Sequence, residues 1–507
     1  MDDQSAVIAF LSSRATYPGG GPVEVVETHS ACVFLAGDRA YKLKRAVRYD
    51  FLDFSTLDLR RLACEAEVRL NARTAPGIYL GAVPVTRDAD GRLALGGQGA
   101  PVEWLVAMRR FDQEGLLDRL ASRGELAPAL MPTLADAVAR MHDTAEVRAD
   151  HGGLVGLAWV VDRNAIVFEE YAQVLPRNLA VRVSEGSREA LTRHAALLEA
   201  RRASGRVRQC HGDLHLRNIV MVDGQPLIFD AIEFNDRIAC TDVLYDLAFL
   251  VMDLLRTRLP AHASRLLNRY LEVRDELDGL ALMPLFLSVR AAIRAKVTAI
   301  EATLAHDPEQ SARDRRLARE YLDDALAFLQ TVPPRLVAIG GFSGTGKSTL
   351  AAALAPGMGT APGAVVLRSD VIRKRLCGVS PETPLGPDAY RPEVSARVYA
   401  DLCTRATTAL AAGCSVIADA VFADPAAREA IEQVARQSGA PFAGVWLEAP
   451  AEVLRARVSA RSLDASDATA AVVERQLRGA PQELSWRVVE AGGDAGDTER
   501  RVRLHGL

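Results

Sequence analysis

The segment that most constrains the fold is a phosphate-binding loop at residues 341–348, which read Gly-Phe-Ser-Gly-Thr-Gly-Lys-Ser. Its spacing matches G-x-x-x-x-G-K-[ST]. An apolar run at 335–340 has the pattern of a buried parallel strand, and residues 349–354 after the loop are good helix formers. This strand and helix disfavour the alternative, a glycine-rich turn with an unrelated lysine. The motif therefore predicts that the C-terminal part of the chain binds a nucleoside triphosphate.

The loop also predicts which residues bind the nucleotide. Glycines let successive N–H groups point at phosphate oxygens, and the N-terminus of the following helix adds its dipole. We expect Lys347 to reach the β- and γ-phosphates and the Ser348 hydroxyl to ligate Mg²⁺. The residues expected to contact the nucleotide are Gly341, Ser343, Gly344, Thr345, Gly346, Lys347, Ser348 and Thr349.

Two further apolar runs, 365–370 and 414–419, each end in a carboxylate. They predict the second and third strands, with Asp370 and Asp419 at the C-terminal ends where ligand sites of open α/β sheets gather. Asp370 is a candidate to accept the proton of an acceptor hydroxyl, and Arg373, one helical turn on, to hold an anionic substrate group. Asp419 is a candidate Mg²⁺ ligand or substrate contact. For both carboxylates the alternative is helix capping.

A fourth predicted strand, at 444–448, precedes a helix that carries several arginines. Arg457 and Arg461 lie four residues apart and therefore on one helical face. They are candidates for a lid that closes over the phosphates and stabilises the charge being transferred. The alternative is an ordinary solvated basic face.

The first half of the chain contains a second candidate site for phosphoryl transfer. Residues 211–218 read His-Gly-Asp-Leu-His-Leu-Arg-Asn, which has the spacing H-x-D-x-x-x-x-N of a kinase catalytic loop. Asp213 would orient or deprotonate the acceptor, and Asn218 would hold a metal ion. Asp230, after the next apolar run, occupies the place of a second metal ligand, and Glu233 is a further candidate ligand. The alternative is a polar turn between two short strands.

Kinases of this kind also need a strand lysine paired with a helix glutamate, and the sequence offers two of each. Lys42 and Lys44 alternate along one predicted strand and so point to the same face. The predicted helix at 56–72 carries Glu65 and Glu67. We favour Lys42 with Glu67 as the pair that contacts the nucleotide, and Lys44 and Glu65 remain the alternatives.

The pattern of elements divides the chain at residues 331–334, where two prolines follow a predicted amphipathic helix at 311–329. Upstream, strand-like runs with one embedded helix give way to a largely helical pattern. The strand-like runs are 23–27, 31–35, 40–43 and 104–109. The predicted domains are a small β-rich lobe (1–110), a helical large lobe (111–330), a linker (331–334) and a P-loop kinase domain (335–507).

Composition limits which binding partners and which cellular compartment we expect for the protein. The 507 residues carry a formal net charge of −4, which gives no case for charge-driven binding of the whole surface to nucleic acid or an anionic membrane. A nucleic-acid substrate is therefore disfavoured. The seven cysteines show no CxxC motif or paired spacing, which is typical of reduced thiols. With no signal peptide and no membrane-length apolar run, the sequence predicts a cytoplasmic protein; it does not indicate the oligomeric state.

Both motif sets resemble known kinase families. HGDLHLRN and IFDAIEF are similar to the aminoglycoside phosphotransferase and choline kinase branch of the protein-kinase-like fold. GFSGTGKST, LRSDVIRKRL, VIADAVF and RARVSARSLDASDA resemble P-loop small-molecule kinases related to polynucleotide 5′-kinases, zeta toxins and gluconate kinases. Their order along the chain is similar to that of bacterial fusion proteins described as bifunctional aminoglycoside phosphotransferase and ATP-binding proteins.

The resemblance implies a bilobal α+β kinase-like fold followed by an α/β P-loop domain with a parallel sheet. It implies ATP and Mg²⁺ as cofactors, Asp370 at the position of a general base, and small hydroxyl-bearing molecules as acceptors. In the first domain it implies a hinge within 104–109, where Met108 would contact the nucleotide. Transfer at both sites is the leading hypothesis; the alternatives are one domain that senses nucleotide and gates the other, or a toxin-like kinase of sugar nucleotides.

The first domain departs from the kinase pattern in one respect. No G-x-G-x-x-G precedes the lysine strand, and the equivalent stretch at 28–33 reads Thr-His-Ser-Ala-Cys-Val. The grip on phosphate must then come from Ser30, from backbone amides or from metal ions. Aminoglycosides are polycations held by acidic pockets, and the sequence identifies no such pocket, so the family name does not carry over as a substrate.

Overall fold

The computed structural model describes residues 3–28, 30–49, 52–460, 465–479 and 484–504. The chain folds into two compact units, and neither unit is one continuous segment. The first unit comprises the residues up to Ala127, Arg140–Leu157 and Leu198–Leu250. The second comprises Pro128–Ala139, Ala158–Leu197 and the chain from Val251 onward.

The first part of the chain forms an antiparallel sheet with one long helix. Its elements are α1 (Ser5–Ser12), β1 (Val23–Glu27), β2 (Ala31–Ala36), β3 (Arg39–Lys44), β4 (Arg48–Tyr49), β5 (Leu52–Asp53), α2 (Leu57–Asn71), β6 (Tyr79–Arg87), β7 (Leu93–Leu95) and β8 (Ala100–Arg109). Six strands pair in the order β1-β2-β3-β8-β6-β7. Thr56 begins α2 as its N-cap, because its hydroxyl accepts a hydrogen bond from the Leu59 N–H. All four predicted strands and the predicted helix are present within two residues at most ends, although β8 begins four residues earlier than predicted.

The middle of the chain is largely helical, as the sequence predicts. Its helices are α3 (Leu117–Ser122), α4 (Met131–Thr144), α5 (Gly153–Glu170), α6 (Arg177–Arg193), α7 (Ala195–Ala203), α8 (Asp236–Ala239), α9 (Val243–Arg256), α10 (Pro260–Val273), α11 (Met283–Leu304) and α12 (Pro308–Phe328). Its short strands are β9 (Val207–Gln209), β10 (Ile219–Val222), β11 (Gln225–Ile228) and β12 (Cys240–Asp242). β10 and β11 form a hairpin that turns at Asp223 and Gly224, both at positive φ (50° and 75°).

The C-terminal part is a parallel sheet with helices, which is the predicted α/β P-loop fold. Its strands are β13 (Leu336–Gly341), β14 (Val365–Arg368), β15 (Val416–Asp419), β16 (Phe442–Glu448) and β17 (Arg487–Glu490). Its helices are α13 (Lys347–Leu354), α14 (Ser369–Leu376), α15 (Pro392–Ala411), α16 (Pro425–Ser438), α17 (Ala451–Ser459), α18 (Ala470–Arg478) and α19 (Ala495–Arg503). The strand order is β14-β15-β13-β16-β17. Every residue of β13 is buried, as expected for a central strand covered on both faces.

The structure corrects one detail of the predicted sheet. β14 ends at Arg368 and α14 begins at Ser369, so Asp370 lies in the first turn of a helix and not at the end of the strand. The capping alternative for Asp370 is also wrong, since Arg368 is the N-cap residue. A carboxylate in the first turn is favourable because it faces the positive end of the helix dipole. β15 does end at Asp419, as predicted.

Two further properties concern membrane-spanning helices and the state of the cysteines. Among the described residues, no helix has both the length and the apolar character needed to cross a membrane. All seven cysteines are free thiols, and Cys32, Cys64, Cys210 and Cys240 are buried.

Candidate active sites

The predicted catalytic loop of the first unit runs from β9 into β10. The side-chain amide of Asn218 donates to the Asp213 carbonyl (2.9 Å) and to the Asp213 carboxylate (3.1 Å). The same carboxylate lies 3.2 Å from Nε2 of His215. Asn218 and His215 are buried, whereas the Asp213 side chain is 38% exposed. The loop therefore holds one partly accessible carboxylate in a fixed orientation, which is the requirement for orienting an acceptor hydroxyl.

Asp246, in the first turn of α9, holds this loop in place through its buried carboxylate. Its carboxylate accepts hydrogen bonds from the backbone N–H groups of His211 (3.2 Å) and Gly212 (2.8 Å), and Nε2 of His142 lies 3.1 Å away. Gly212 has φ of 84°, and a Cβ there would lie 3.3 Å from Ala239. The loop thus needs glycine at this position and a buried carboxylate below it.

The ring of His211 connects the loop to the segment before Asp230. Nδ1 accepts from the Asp213 N–H (3.3 Å), so Nε2 carries the proton that it donates to the Phe229 carbonyl (2.8 Å). Burial lowers the pKa of His211, which favours this neutral form. The predicted base and the predicted metal ligand are consequently fixed relative to each other through one imidazole.

Asp230 adopts a strained backbone conformation. Its φ is 65°, which is uncommon for a residue with a side chain and is found at functional sites. Its N–H donates to the Tyr79 hydroxyl (3.1 Å), and the next N–H, of Ala231, donates to the Asn71 side chain (2.8 Å). These contacts hold the turn so that the Asp230 carboxylate is 43% exposed and meets Lys42 at 2.6 Å.

The pairing of Lys42 with Glu67 is present, but Lys44 shares the same carboxylate. Lys42 lies 2.9 Å from one Glu67 oxygen and Lys44 lies 2.6 Å from the other. Lys44 also pairs with Glu233 at 2.5 Å, so the candidate ligand Glu233 is buried in an ion pair. Burial opposes ionisation of Glu67, yet the two lysines lower the pKa of Glu67 below its usual value. Glu65, the alternative, instead pairs with Arg61 on the surface.

Two other residues of the first unit were expected near the nucleotide. Met108 is 8% exposed and packs in the apolar cluster that includes Leu35, Ala40 and Tyr79. Ser30 lies in the turn between β1 and β2, where its carbonyl accepts from the Arg45 N–H (2.8 Å) and the Thr28 N–H donates to the Ala31 carbonyl (2.8 Å). His29, between them, lies outside the described residues.

The P-loop of the second unit has the backbone that the motif requires. Gly341, Gly344 and Gly346 have φ of 139°, 90° and 89°. A Cβ at Gly344 would lie 2.8 Å from the Leu454 carbonyl, so a larger residue would displace the loop. The Thr345 hydroxyl donates to the Phe342 carbonyl (2.8 Å) and fixes the turn.

The functional side chains of the loop lie beside Asp419. Nζ of Lys347 donates to the carbonyls of Gly341 (2.8 Å) and Phe342 (2.9 Å), and the Ser348 hydroxyl donates to the Asp419 carboxylate (2.5 Å). Hydroxyl and carboxylate oxygens are the donors that Mg²⁺ prefers, so Ser348 and Asp419 form a fitting pair of ligands. Thr349, which directly follows the motif, is exposed in the first turn of α13.

Asp370 lies close to these residues. Burial, and secondly the charge of Asp419, raise the pKa of Asp370 above its usual value. A hydrogen bond with Ser466 and the charges of Arg368 and Lys347 oppose that increase. A raised pKa brings a carboxylate closer to the range in which a general base works best.

Arg373 is buried without a complete set of partners. One amino group donates to the Ala389 carbonyl (2.6 Å) and to the Ser395 hydroxyl (3.3 Å), and the guanidinium lies 4.7 Å from the centre of the Tyr390 ring. Its Nε has no hydrogen-bond partner within the part of the chain that the structure describes. A guanidinium that is 7% exposed and incompletely satisfied fits the predicted contact to an anionic group.

The predicted lid is described only in part. Arg457 donates to the carbonyls of Ala491 (2.7 Å) and Gly493 (2.6 Å), and more weakly to that of Gly344 in the P-loop (3.4 Å). Arg457 therefore connects the P-loop to the segment after β17. Arg461 lies outside the described residues.

Sequence reasoning missed several residues around this site. Gln476 accepts from the Ser343 N–H of the P-loop (2.8 Å), and Lys374 pairs with Asp467 at 2.6 Å. Arg368 lies 3.7 Å from Asp419, its partner on the neighbouring strand. Of these residues, only Arg368 could have been found from the sequence. It lies near the end of a predicted parallel strand, and ligand sites gather at that edge of the sheet.

Comparison with protein families matches both parts of the chain. Residues 45–281 match the model of the phosphotransferase enzyme family, and residues 336–482 match the model of an AAA domain. Among curated proteins, uncharacterized protein Rv2004c of Mycobacterium tuberculosis is 31% identical over 488 residues, which cover 95% of this chain and 94% of that protein. A Mycobacterium bovis protein matches equally well.

Among solved structures, a choline/ethanolamine kinase family protein from Mesorhizobium loti is 15% identical and covers 64% of this chain and 98% of its own (TM-score 0.36). A gluconokinase from Sinorhizobium meliloti is 22% identical and covers 34% of this chain and 95% of its own (TM-score 0.24).

The two family matches, together with the two assembled sites, define a kinase, an enzyme that transfers phosphoryl groups. The chain belongs to the same family as the mycobacterial proteins, with a phosphotransferase domain followed by a P-loop domain.

Proposed function

We propose that this protein is a bifunctional, cytoplasmic kinase that transfers the γ-phosphoryl group of ATP to hydroxyl groups of small molecules at two separate sites. One site centres on Asp213 and the other on Lys347 and Asp370. At each site the acceptor hydroxyl attacks the γ-phosphorus, its proton passes to the carboxylate, and ADP leaves. Two different acceptors, or successive modifications of one acceptor, both agree with this scheme.

The observation that carries the proposal is that each unit assembles its own carboxylate base beside its own oxygen donors. In the first unit, Asp213 bonds to Asn218, and Asp230 pairs with Lys42. A unit that only sensed nucleotide would have no need of a partly exposed carboxylate held in the catalytic loop.

The oxygen donors of both sites fit a magnesium ion. Asn218 and Asp230 would hold it in the first unit, and Ser348 and Asp419 in the second. Bound Mg²⁺ would neutralise phosphate charge during transfer. Lys42 lies 2.6 Å from Asp230 and the Ser348 hydroxyl donates to Asp419 (2.5 Å), so a neighbouring side chain orients a carboxylate at each site.

The second site suits an acceptor that carries both a hydroxyl and an anionic group. Asp370 would receive the proton, and the buried Arg373, whose guanidinium is only partly satisfied, would bind the anion. Tyr390, against the guanidinium, adds an apolar surface.

The test is ATP-dependent phosphorylation of a panel of sugars, nucleosides and amino alcohols by the full-length chain. Asp213→Asn should abolish one set of products and Lys347→Ala another, each by about 10²- to 10⁴-fold for loss of a base or phosphate contact. Arg61→Met, on the surface, is the control and should change neither. If neither Asp213→Asn nor Lys347→Ala reduces any transfer, the proposal is wrong.

A regulatory role for the first unit is the second candidate. It is favoured by the glycine-poor turn between β1 and β2, where the Thr28 hydroxyl and N–H both bond to Ala31. Such a turn offers fewer free amides to phosphate than a glycine-rich loop. In this case the first unit would bind ATP and transfer no phosphate to any acceptor, and Asp213→Asn would leave all products unchanged.

A further inference from the structure

The turn that carries Asp230 is bonded on one side to the catalytic loop. The Phe229 N–H donates to the Asn218 carbonyl (3.0 Å), and the Ile232 N–H donates to the His211 carbonyl (2.9 Å). Both acceptors are backbone groups, so these two amides follow the path of the catalytic loop. Asp230 itself has φ of 65°, a conformation that a residue with a side chain keeps only where its surroundings enforce it.

Two side chains from outside the loop bind the amides in between. The Asp230 N–H donates to the Tyr79 hydroxyl (3.1 Å), and the Ala231 N–H donates to the side-chain oxygen of Asn71 (2.8 Å). Tyr79 is the first residue of β6 and Asn71 is the last residue of α2. The strained part of the turn is therefore held by the sheet and the helix that precede the catalytic loop in the sequence.

Tyr79 is well suited to hold a backbone amide in place. It is 7% exposed, and its ring packs in the apolar cluster that includes Leu35 and Val106. Burial, followed by the charges of Glu67 and Asp230, raises the pKa of Tyr79, so the hydroxyl stays neutral. A hydroxyl on a closely packed ring has little freedom to move, and it limits the freedom of the amide that donates to it.

The direction of the Asp230 carboxylate depends on the position of this amide. The carboxylate is 43% exposed and lies 2.6 Å from Nζ of Lys42. Because the backbone N, Cα and C atoms fix the direction of Cβ, a change of φ at Asp230 would move the carboxylate relative to Lys42. The Tyr79 hydroxyl thus acts on the carboxylate through the backbone, without touching it.

We infer that Tyr79 is a positioning residue for Mg²⁺ at the first site: its hydroxyl holds the backbone of Asp230 in the conformation that presents the carboxylate as a metal ligand. The inference rests on the proposed function of that site. Asn71 acts in the same way on the next amide. Groups that orient metal ligands typically change metal affinity by about 10- to 100-fold when they are removed.

The experiment measures binding of ADP by calorimetry to the full-length chain carrying Lys347→Ala, at a series of Mg²⁺ concentrations. This substitution removes a phosphate contact of the P-loop site, so the component that remains belongs to the first site. When Tyr79→Phe is added, this component should need about tenfold more Mg²⁺. Its affinity for ADP without Mg²⁺ should stay unchanged, because the ring and the pair of Lys42 with Glu67 are retained.

Two comparisons separate positioning from a general loss of stability. Tyr17→Phe removes another buried hydroxyl of the first unit, one that donates to the Leu11 carbonyl (2.8 Å), and should leave the Mg²⁺ dependence unchanged. In an Asp230→Asn background, Tyr79→Phe should have no further effect on the Mg²⁺ dependence, because the carboxylate that it orients is absent.

Three results would each overturn the inference: an unchanged Mg²⁺ dependence in Tyr79→Phe, an equal shift in Tyr17→Phe, or an undiminished shift in the Asp230→Asn background. A different result marks failure of the proposed function. If the chain with Lys347→Ala retains no Mg²⁺-dependent binding of ADP, the proposed nucleotide site of the first unit is wrong, and the role of Tyr79 is wrong with it.

Discussion

At the scale of single residues, the first site depends on two lysines of β3 that share one carboxylate. Lys44 and Glu67 are 2% and 0% exposed, and Glu233 is 4% exposed. Buried charges are tolerated only while they remain paired, because desolvation of an isolated carboxylate is expensive. Lys42 is partly accessible and faces Asp230, so Lys44 is the cation that holds the buried pair of glutamates.

Replacement of Lys44 by Met should therefore destabilise the first unit strongly. Loss of one partner from a buried ion pair costs about 3 to 5 kcal/mol. Scanning calorimetry of the full chain should show one transition at lower temperature. Lys44→Met combined with Glu233→Gln should recover part of the loss, since the amide needs no cation.

The matched control is Arg61→Met, which breaks the exposed pair with Glu65. Exposed ion pairs on one helical face contribute about 0.3 to 0.5 kcal/mol to the free energy of unfolding. The loss of stability in Arg61→Met should therefore be close to the error of the measurement. Equal effects of Lys44→Met and Arg61→Met would show that the buried network does not carry the stability assigned to it.

The second residue-scale prediction concerns pH. Asp370 acts as a base only when it is deprotonated, and burial followed by the charge of Asp419 raises its pKa above the usual value for aspartate. Transfer at the P-loop site should thus decline on acidification while an ordinary aspartate would still be ionised. Ser466→Ala removes a hydrogen bond that lowers this pKa, so the acidic limb of kcat/KM should move to higher pH.

Asp370→Asn should lower the rate by about 10²- to 10⁴-fold across the profile. Ser395→Ala serves as the control for Ser466→Ala, because Ser395 contacts Arg373 and no contact joins it to Asp370 among the described hydrogen bonds. If the acidic limb of kcat/KM lies at the same pH in Ser466→Ala as in the parent protein, Asp370 is not the titrating group.

At the scale of elements, hydrogen exchange can test whether Asn268 of α10 stabilises β14, which is an edge strand of the parallel sheet. The side-chain amide of Asn268 accepts from the Val366 N–H (2.7 Å) and donates to the Ala364 carbonyl (3.1 Å). Asn268→Ala removes the acceptor of the Val366 N–H and leaves the strand without this outer partner. One hydrogen bond contributes about 1 kcal/mol, so exchange at 365–368 should accelerate about fivefold. Exchange in β17, at the opposite edge of the sheet, provides the internal reference and should not change. Equal protection of β14 in both proteins would mean that Asn268 contributes nothing to this edge.

The elements themselves follow closely from local sequence. β1 is predicted with its observed bounds, and β13 is recognisable from its apolar run before the P-loop glycines. The apolar run at 365–370 predicts a strand that continues to Asp370, whereas Ser369 already begins a helix. Two elements that meet without a loop leave no glycine or proline to mark the boundary.

The site was less predictable where it depends on long-range packing. Alternation along β3 places Lys42 and Lys44 on one face, but it cannot tell which glutamate they meet. That both bind Glu67, while Glu65 faces solvent, follows from the rotation of α2 against the sheet. The contacts of Asn268 and Glu272 join residues about a hundred positions apart, and no local sequence pattern predicts them.

At the scale of the whole molecule, the linker in sequence is not the boundary between compact units. The two family matches end at 281 and begin at 336. The chain from Val251 onward nevertheless belongs to the same compact unit as the P-loop sheet. Asn268, Glu272 and Asp275 supply polar contacts that join α10 and the segment after it to the P-loop domain. The P-loop domain is therefore contacted by residues that lie outside the region matched by the AAA domain model, and we expect these contacts to stabilise it.

Cleavage of the linker tests this view of the molecule. A protease site placed at 331–334 should yield two pieces that stay together during gel filtration, because the contacts from 268–275 do not need a covalent connection. Asn268→Ala, Glu272→Gln and Asp275→Asn combined should weaken the association by about 3 kcal/mol, roughly a hundredfold. The uncleaved triple variant controls for unfolding. If the cleaved parent chain separates at micromolar concentration, the halves are independent domains joined only by the linker, and coupling through α10 is excluded.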